Sequence, residues 1–229
     1  LMNEKFLKKQ IITYMGNKRK FVTIISKIVD DVKQELNGKD LVLADGFSGS
    51  GIIARLFKIK GVSLHVNDIA GYSETLNKCY LSTPTTKQQK RIEKLIAKAN
   101  KFAYSEDTIK YDKWIQLHWA PSGNITKDQR VYYTEKNGKL IDRYRSFINS
   151  LSENDKPFIL APLLVEASIH NNTNGQFSAF YKDEQGVGKF GGKKEVDIKR
   201  ITTPIKLPLP IFSPSPCNVN VSRMDTNQW

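Results

Sequence analysis

Residues 45–51, Asp-Gly-Phe-Ser-Gly-Ser-Gly, follow the apolar run 41–44 and join an acid to a glycine-rich turn. A second strand-like stretch, 63–66, ends in Asn67-Asp68, which brings another acid to the same turn. Gly49 and Gly51 lack side chains, so the backbone there can bend sharply and admit a ligand closely. An acid after one strand, a glycine turn and an acid after the next strand describe a pocket for an adenosine-containing cofactor.

Two cofactors fit that pattern. Gly49-Ser50-Gly51-Ile52-Ile53-Ala54 matches the dinucleotide fingerprint with Ala in its third place, and Asp68 stands where a ribose-binding acid belongs. Alone, this supports an NAD-dependent oxidoreductase. Asp45, immediately before the turn, argues the other way: its charge would repel a pyrophosphate at the helix N-terminus but attract a sulfonium. The repeated βαβ units of a dinucleotide domain are also missing from the pattern, because the chain becomes helical and basic after the second strand. S-adenosylmethionine, with a cationic methionine end and no phosphate, suits these acids better.

The elements that must hold the turn are partly legible. Residues 21–36 carry Phe21, Ile24, Ile25, Ile28, Val29, Val32 and Leu36 at spacings of three and four, which predicts an amphipathic helix stopped by Asn37-Gly38. Strand 41–44, helix 51–60 and strand 63–66 follow, the opening of an α/β domain. Helices are expected over 74–81, over 87–102, whose Lys-rich face reads as solvated, and over 138–151 and 156–171. Residues 103–135 are aromatic without periodicity, residues 172–216 read as loop, and 218–221 is one more short strand.

Lys and Arg number 36 against 23 Asp and Glu, a net charge of +13, which favours a polyanionic partner over a neutral one. The two cysteines, Cys79 and Cys217, lie far apart with no metal-ligand spacing, so neither a disulfide framework nor a metal site is expected. No run approaches the roughly 18 apolar residues of a membrane helix, and a cytoplasmic location is expected.

A third segment, Ile12-Thr13-Tyr14-Met15-Gly16-Asn17-Lys18-Arg19-Lys20, joins an aromatic, a glycine and a basic cluster upstream of the turn. Taken with Asp45–Gly51 and Asn67-Asp68, it closely resembles the Dam-like class of DNA adenine methyltransferases. Val131-Tyr132-Tyr133-Thr134-Glu135, Asn137-Gly138-Lys139, Ile141-Asp142 and Gly175-x-Phe177-x-x-Phe180 are similar to that family's middle region. The resemblance implies a Rossmann-like α/β methyltransferase core, incomplete at its C-terminal side, with an inserted, largely helical target-recognition region. The expected division is 1–83 for the cofactor-binding half, 84–205 for the insertion and 206–229 for the return to the core.

What the resemblance implies for single residues is specific. Tyr14, Gly16 and Lys18 would lie against S-adenosylmethionine, the lysine near its carboxylate. Asp45, Phe47, Ser48 and Gly49 would line the methionine side, with Gly51 also at the cofactor. Asn67 and Asp68 would also contact the cofactor, Asp68 accepting from the ribose hydroxyls, and Asp225 would contact the adenine amino group. Lys189, Lys193 and Lys194 are candidate contacts to double-stranded DNA, as is the stretch 87–113 with Tyr104, Tyr111 and Trp114. The family's Asp-Pro-Pro-Tyr motif, which holds the target base, does not occur. Ser213-Pro214-Ser215-Pro216 has neither the acid nor the aromatic and precedes Asp225, whereas the motif should follow it. The expectation is therefore a truncated or split methyltransferase, inactive alone, with a second chain as one source of the motif. A noncatalytic DNA-binding remnant is the remaining alternative.

Overall fold

The structure, a computed structural model, describes residues 2–12, 18–106, 110–175, 177–192 and 197–229. The chain divides into two compact units, one comprising residues 1–11, 16–90 and 210–229, the other residues 12–15 and 91–209.

The first unit is α/β. Its elements are α1 (Met2–Lys8), α2 (Val22–Glu35), β1 (Val42–Asp45), α3 (Ile52–Lys60), β2 (Ser63–Asn67), α4 (Gly71–Tyr80) and β3 (Asn218–Ser222). The strands form a parallel sheet in the order β1-β2-β3, with Val42 opposite Ser63, Asp45 opposite Val66 and Asn67 opposite Ser222. This register puts the carboxyl ends of all three strands together, the edge at which open parallel sheets bind ligands. Phe6, Ala54, Leu64, Val66, Leu81 and Cys217 form one buried cluster, and Ile11, Ile52 and Ile53 another, with Phe57 packed against both. α3 is thus anchored on more than one side, which gives the turn before it a rigid base.

Arg55 is a large part of that base. It is 1% exposed and donates to the carbonyls of Phe6 (2.9 Å), Lys9 (2.8 Å) and Gln10 (2.8 Å), while its guanidinium lies 4.2 Å from the Tyr80 ring centre. Carbonyls at the C-terminal end of a helix lack intrahelical donors, and here a side chain from α3 supplies them. Burial pushes the Arg55 pKa down to about 10, so it stays charged at neutral pH.

The amphipathic helix expected over 21–36 forms, but its apolar stripe is not covered as expected. Val22, Ile25 and Val29 face the unit's interior, whereas Phe21, Ile24, Ile28 and Val32 are exposed. α4 starts three residues before the expected 74, directly after an Asx turn in which Asp68 Oδ1 accepts from the Ala70 N–H (2.9 Å).

The second unit, described by itself, contains most of α5 (Thr86–Ala103), then α6 (Trp114–Trp119), α7 (Glu135–Asn149), α8 (Lys156–Ile169) and α9 (Ile198–Thr202). α7 begins at Glu135 rather than 138, since Thr134 caps it by accepting from the Asn137 N–H (3.1 Å). Gly138 is therefore inside the helix, where a Cβ would lie 2.9 Å from the Ala120 Cβ; it permits close approach rather than marking a start. α6 and α9 are one to two turns long, too short for periodicity to reveal them. Asn137 is wholly buried and donates to the carbonyls of Ile201 and Thr203 while accepting from the Ile205 N–H, which ties the extended strand of chain after α9 to α7.

Candidate functional site

The glycine turn between β1 and α3 is held from beneath. Gly49 and Gly51 take φ of 50° and 76°, conformations that L side chains rarely adopt. A Cβ on Gly51 would lie 2.5 Å from Asn77 Oδ1. Asn77, on α4, is 2% exposed and donates to Ser48 Oγ (2.9 Å) and Ser73 Oγ (3.3 Å). Ser48 itself bonds Asn67: both its N–H (3.1 Å) and its hydroxyl (3.2 Å) donate to the Asn67 carbonyl. Asn77 and Ser73 escaped the sequence reading because nothing local marks a helical Asn as the floor of a turn formed 25 residues earlier.

Around this floor stand the acids. Asp45 ends β1, and burial pushes its carboxyl above the usual Asp range, partly offset by a hydrogen bond from the Phe47 N–H and by the Lys18 charge; the Asp68 charge raises it further. Lys18, Asp45 and Asp68 are therefore brought into one electrostatic neighbourhood. Asp68 Oδ2 accepts from the Gly49 N–H at 2.8 Å, so the acid after β2 also fixes the turn after β1. A carboxylate has about four acceptor positions, and these two bonds leave room for donors from a ligand. Phe47 projects outward, 75% exposed.

Asp225 follows β3 on an exposed turn, with one oxygen accepting from the Asn227 N–H (2.9 Å) and side-chain amide (3.1 Å). The same turn reaches back to the glycine segment: Thr226 Oγ1 donates to the Gly46 carbonyl (2.8 Å), and a Cβ on Gly46 would meet Thr226 Cγ2 at 3.2 Å and the Trp229 ring at 3.5 Å. Gly46 thus serves close approach of two chain segments.

Of the expected site residues, Lys18, Asp45, Phe47, Gly49, Gly51, Asp68 and Asp225 all lie in the first unit, around the carboxyl edge of the sheet. Ser48 and Asn67 belong to the support instead: their side chains are buried and bonded within the protein, behind the turn. Tyr14 and Gly16 lie outside the described residues, as do Lys193 and Lys194. Lys189 is described in the second unit, half-buried, on a short antiparallel pairing of Lys182 with Gly188 whose turn is closed by Asp183. Asn172 holds this segment by donating to the carbonyls of Val131 (2.7 Å) and Lys189 (2.8 Å) and accepting from the Gly191 N–H (3.0 Å).

The mixed α/β unit, with a small parallel three-stranded sheet and acids after its first two strands flanking a glycine turn, is consistent with a methyltransferase-like fold. The family model for D12 class N6 adenine-specific DNA methyltransferases matches residues 14–193, most of the chain. The chain belongs to that family. It is similar to Type II methyltransferase M.NlaIII of Neisseria lactamica, at 28% identity over 178 residues, covering 75% of this chain and 50% of that protein. It is also similar to Modification methylase StsI of Streptococcus sanguinis, at 26% identity over 74% of this chain and 26% of that protein, and to Modification methylase LlaI of Lactococcus lactis subsp. lactis, at 24% identity over 74% and 27%. The chain thus spans half or less of the length of these relatives. No solved structure matches.

Proposed function

We propose that this chain forms the donor-binding part of a DNA adenine methyltransferase, with S-adenosylmethionine as the methyl donor and double-stranded DNA as the substrate. The observation that carries this reading is the half-buried Asp45 carboxyl at the end of β1, beside the glycine turn that the Asp68 carboxylate fixes. A carboxylate that its surroundings hold toward the neutral form gains most from a cationic ligand, and the donor supplies a sulfonium whose methyl is the transferred group. Around it, Asp45 and Lys18 would hold the methionine end, Phe47 would cover it, Asp68 would accept from the ribose hydroxyls and Asp225 from the adenine amino group. The dinucleotide alternative asks Asp45 to sit near a pyrophosphate, which its charge opposes, and the family argues against it.

The second unit is the natural target-recognition region, since methylating an adenine requires the base to leave the duplex while the protein grips what surrounds it. Its lysines, Lys189 among them, would contact phosphates and make binding fall with salt. The group that holds the acceptor base would come from polypeptide outside these residues. In keeping with that, the outer edge of β1 pairs with no strand among the described residues, and Val42, Phe21, Ile24, Ile28 and Val32 expose an apolar surface in the same unit. A cytoplasmic setting goes with this role; no described helix is long and apolar enough to cross a membrane. The test is methyl transfer from tritiated S-adenosylmethionine to duplex DNA. The chain alone should retain donor but transfer no label, and addition of a polypeptide carrying the Asp-Pro-Pro-Tyr portion of a relative should restore labelling. Turnover by the isolated chain would refute the division of roles.

A further inference from the structure

Asn67 ends β2 and is completely buried. Its side-chain amide has two donors and two acceptor lone pairs, and all four are used. Nδ2 donates to the Met224 carbonyl (3.0 Å) and to Thr226 Oγ1 (3.2 Å); Oδ1 accepts from the Met224 N–H (2.9 Å) and from Ser222 Oγ (3.0 Å). Its main-chain carbonyl accepts from Ser48, on the glycine turn. The residue therefore has no capacity left for a ligand, yet it bonds both chain segments that carry the proposed donor-site residues. On one side it holds Ser48; on the other it grips Met224 and Thr226, the two neighbours of Asp225. Thr226 closes the circuit by donating to Gly46. Asp225 is left with its main chain pinned at either side and its carboxylate outside the network.

We infer that Asn67 is a positioning residue that sets the place of Asp225 relative to the glycine turn and thereby gives the pocket its preference for adenine. This rests on the reading of Asp225 as the acceptor for the adenine amino group. An acceptor discriminates between an amino and an oxo substituent only while it is held at hydrogen-bond distance, and surface turns are mobile unless tied down. The Asn67 network is what ties this one.

The experiment is calorimetric titration of the whole chain with S-adenosylhomocysteine and with S-inosylhomocysteine, in which an oxo group replaces the amino group. Wild type should prefer the adenine ligand by about tenfold or more, the size of one hydrogen bond to a charged acceptor, and Asp225→Ala should abolish the preference. Asn67→Ala and Thr226→Val should also abolish it while weakening the inosine ligand much less; a merely structural role would lower both affinities together. Thr226→Val keeps shape and removes only the hydroxyl, so it decides the matter if Asn67→Ala fails to fold. Loss of preference in Asp225→Ala with full retention in the other two, or an equal loss of both ligands in those two, overturns the role of Asn67. A preference that survives Asp225→Ala, or is missing from wild type, overturns the reading of Asp225 and this inference with it.

Discussion

Gly51→Ala separates the two demands that the turn makes on its glycine. Gly51 has φ of 76°, and a Cβ there would stand 2.5 Å from Asn77 Oδ1, an amide 2% exposed and bonded to Ser48 and Ser73. Placing a non-glycine residue in the left-handed region costs roughly 1–2 kcal/mol. The Asn77 side chain must also move, weakening two buried hydrogen bonds at about 0.5–1.5 kcal/mol each, so the expected total is roughly 2–5 kcal/mol. Gly38 supplies the control: its φ is 83° and nothing lies within 4 Å of its would-be Cβ. Gly38→Ala should therefore cost only the conformational part, roughly 1–2 kcal/mol. Urea unfolding followed by circular dichroism measures both. Because Asn77 holds Ser48, Gly51→Ala should also weaken donor binding, and Gly38→Ala should not. Equal destabilisation by the two substitutions would show that the Asn77 floor is not rigid and refute the account of the turn.

Asp45→Asn should stabilise the ligand-free chain at neutral pH. The folded-state carboxyl is raised, so its favourable contribution is complete below the ordinary Asp value of 3.8 and is lost as pH rises through the folded value; the advantage of the variant, read from urea midpoints, should grow from pH 4 to 7. The same substitution should lower affinity for S-adenosylmethionine by about tenfold or more, and for S-adenosylhomocysteine, whose sulfur is a neutral thioether, by less, in parallel titrations. Arg55→Met removes the donor from three carbonyls and should cost about 3 kcal/mol or more, with hydrogen exchange of α1 accelerating first; an unchanged exchange rate would contradict the anchoring role. Replacing Lys189, Lys193 and Lys194 together with Ala should flatten the dependence of DNA affinity on log salt by up to about three phosphate contacts, measured by fluorescence anisotropy, and an unchanged slope would move the contact elsewhere.

The strand-turn-helix-strand core was legible because apolar runs of four residues bounded by glycine and acid have few other uses. Residues 41–44 and 63–66 fell within one residue of β1 and β2 at each end. The orientation of polar residues around the turn was not legible. Ser48 and Asn67 read as pocket lining because they sit between residues that face a ligand, and only the partners in α4 and after β3, Asn77, Met224 and Thr226, show that they point inward. The outward stripe of α2 failed for a related reason: periodicity says that Ile24 and Ile28 share a face with one another, not what covers that face. Gly138 looked like a helix boundary because local propensity disfavours glycine within helices, while the close approach of Ala120 that requires it comes from a segment without periodicity.

The central claim is that the turn at residues 45–51 is a methyl-donor site. Calorimetric titration of the full chain with S-adenosylmethionine and with NAD, in separate runs at pH 7.5 or so, tests it most directly. Saturable one-to-one binding of S-adenosylmethionine, with none of NAD, and a weakening of that binding by about tenfold or more in Asp45→Asn is the predicted result. Binding of NAD, or no response to either cofactor, would contradict it.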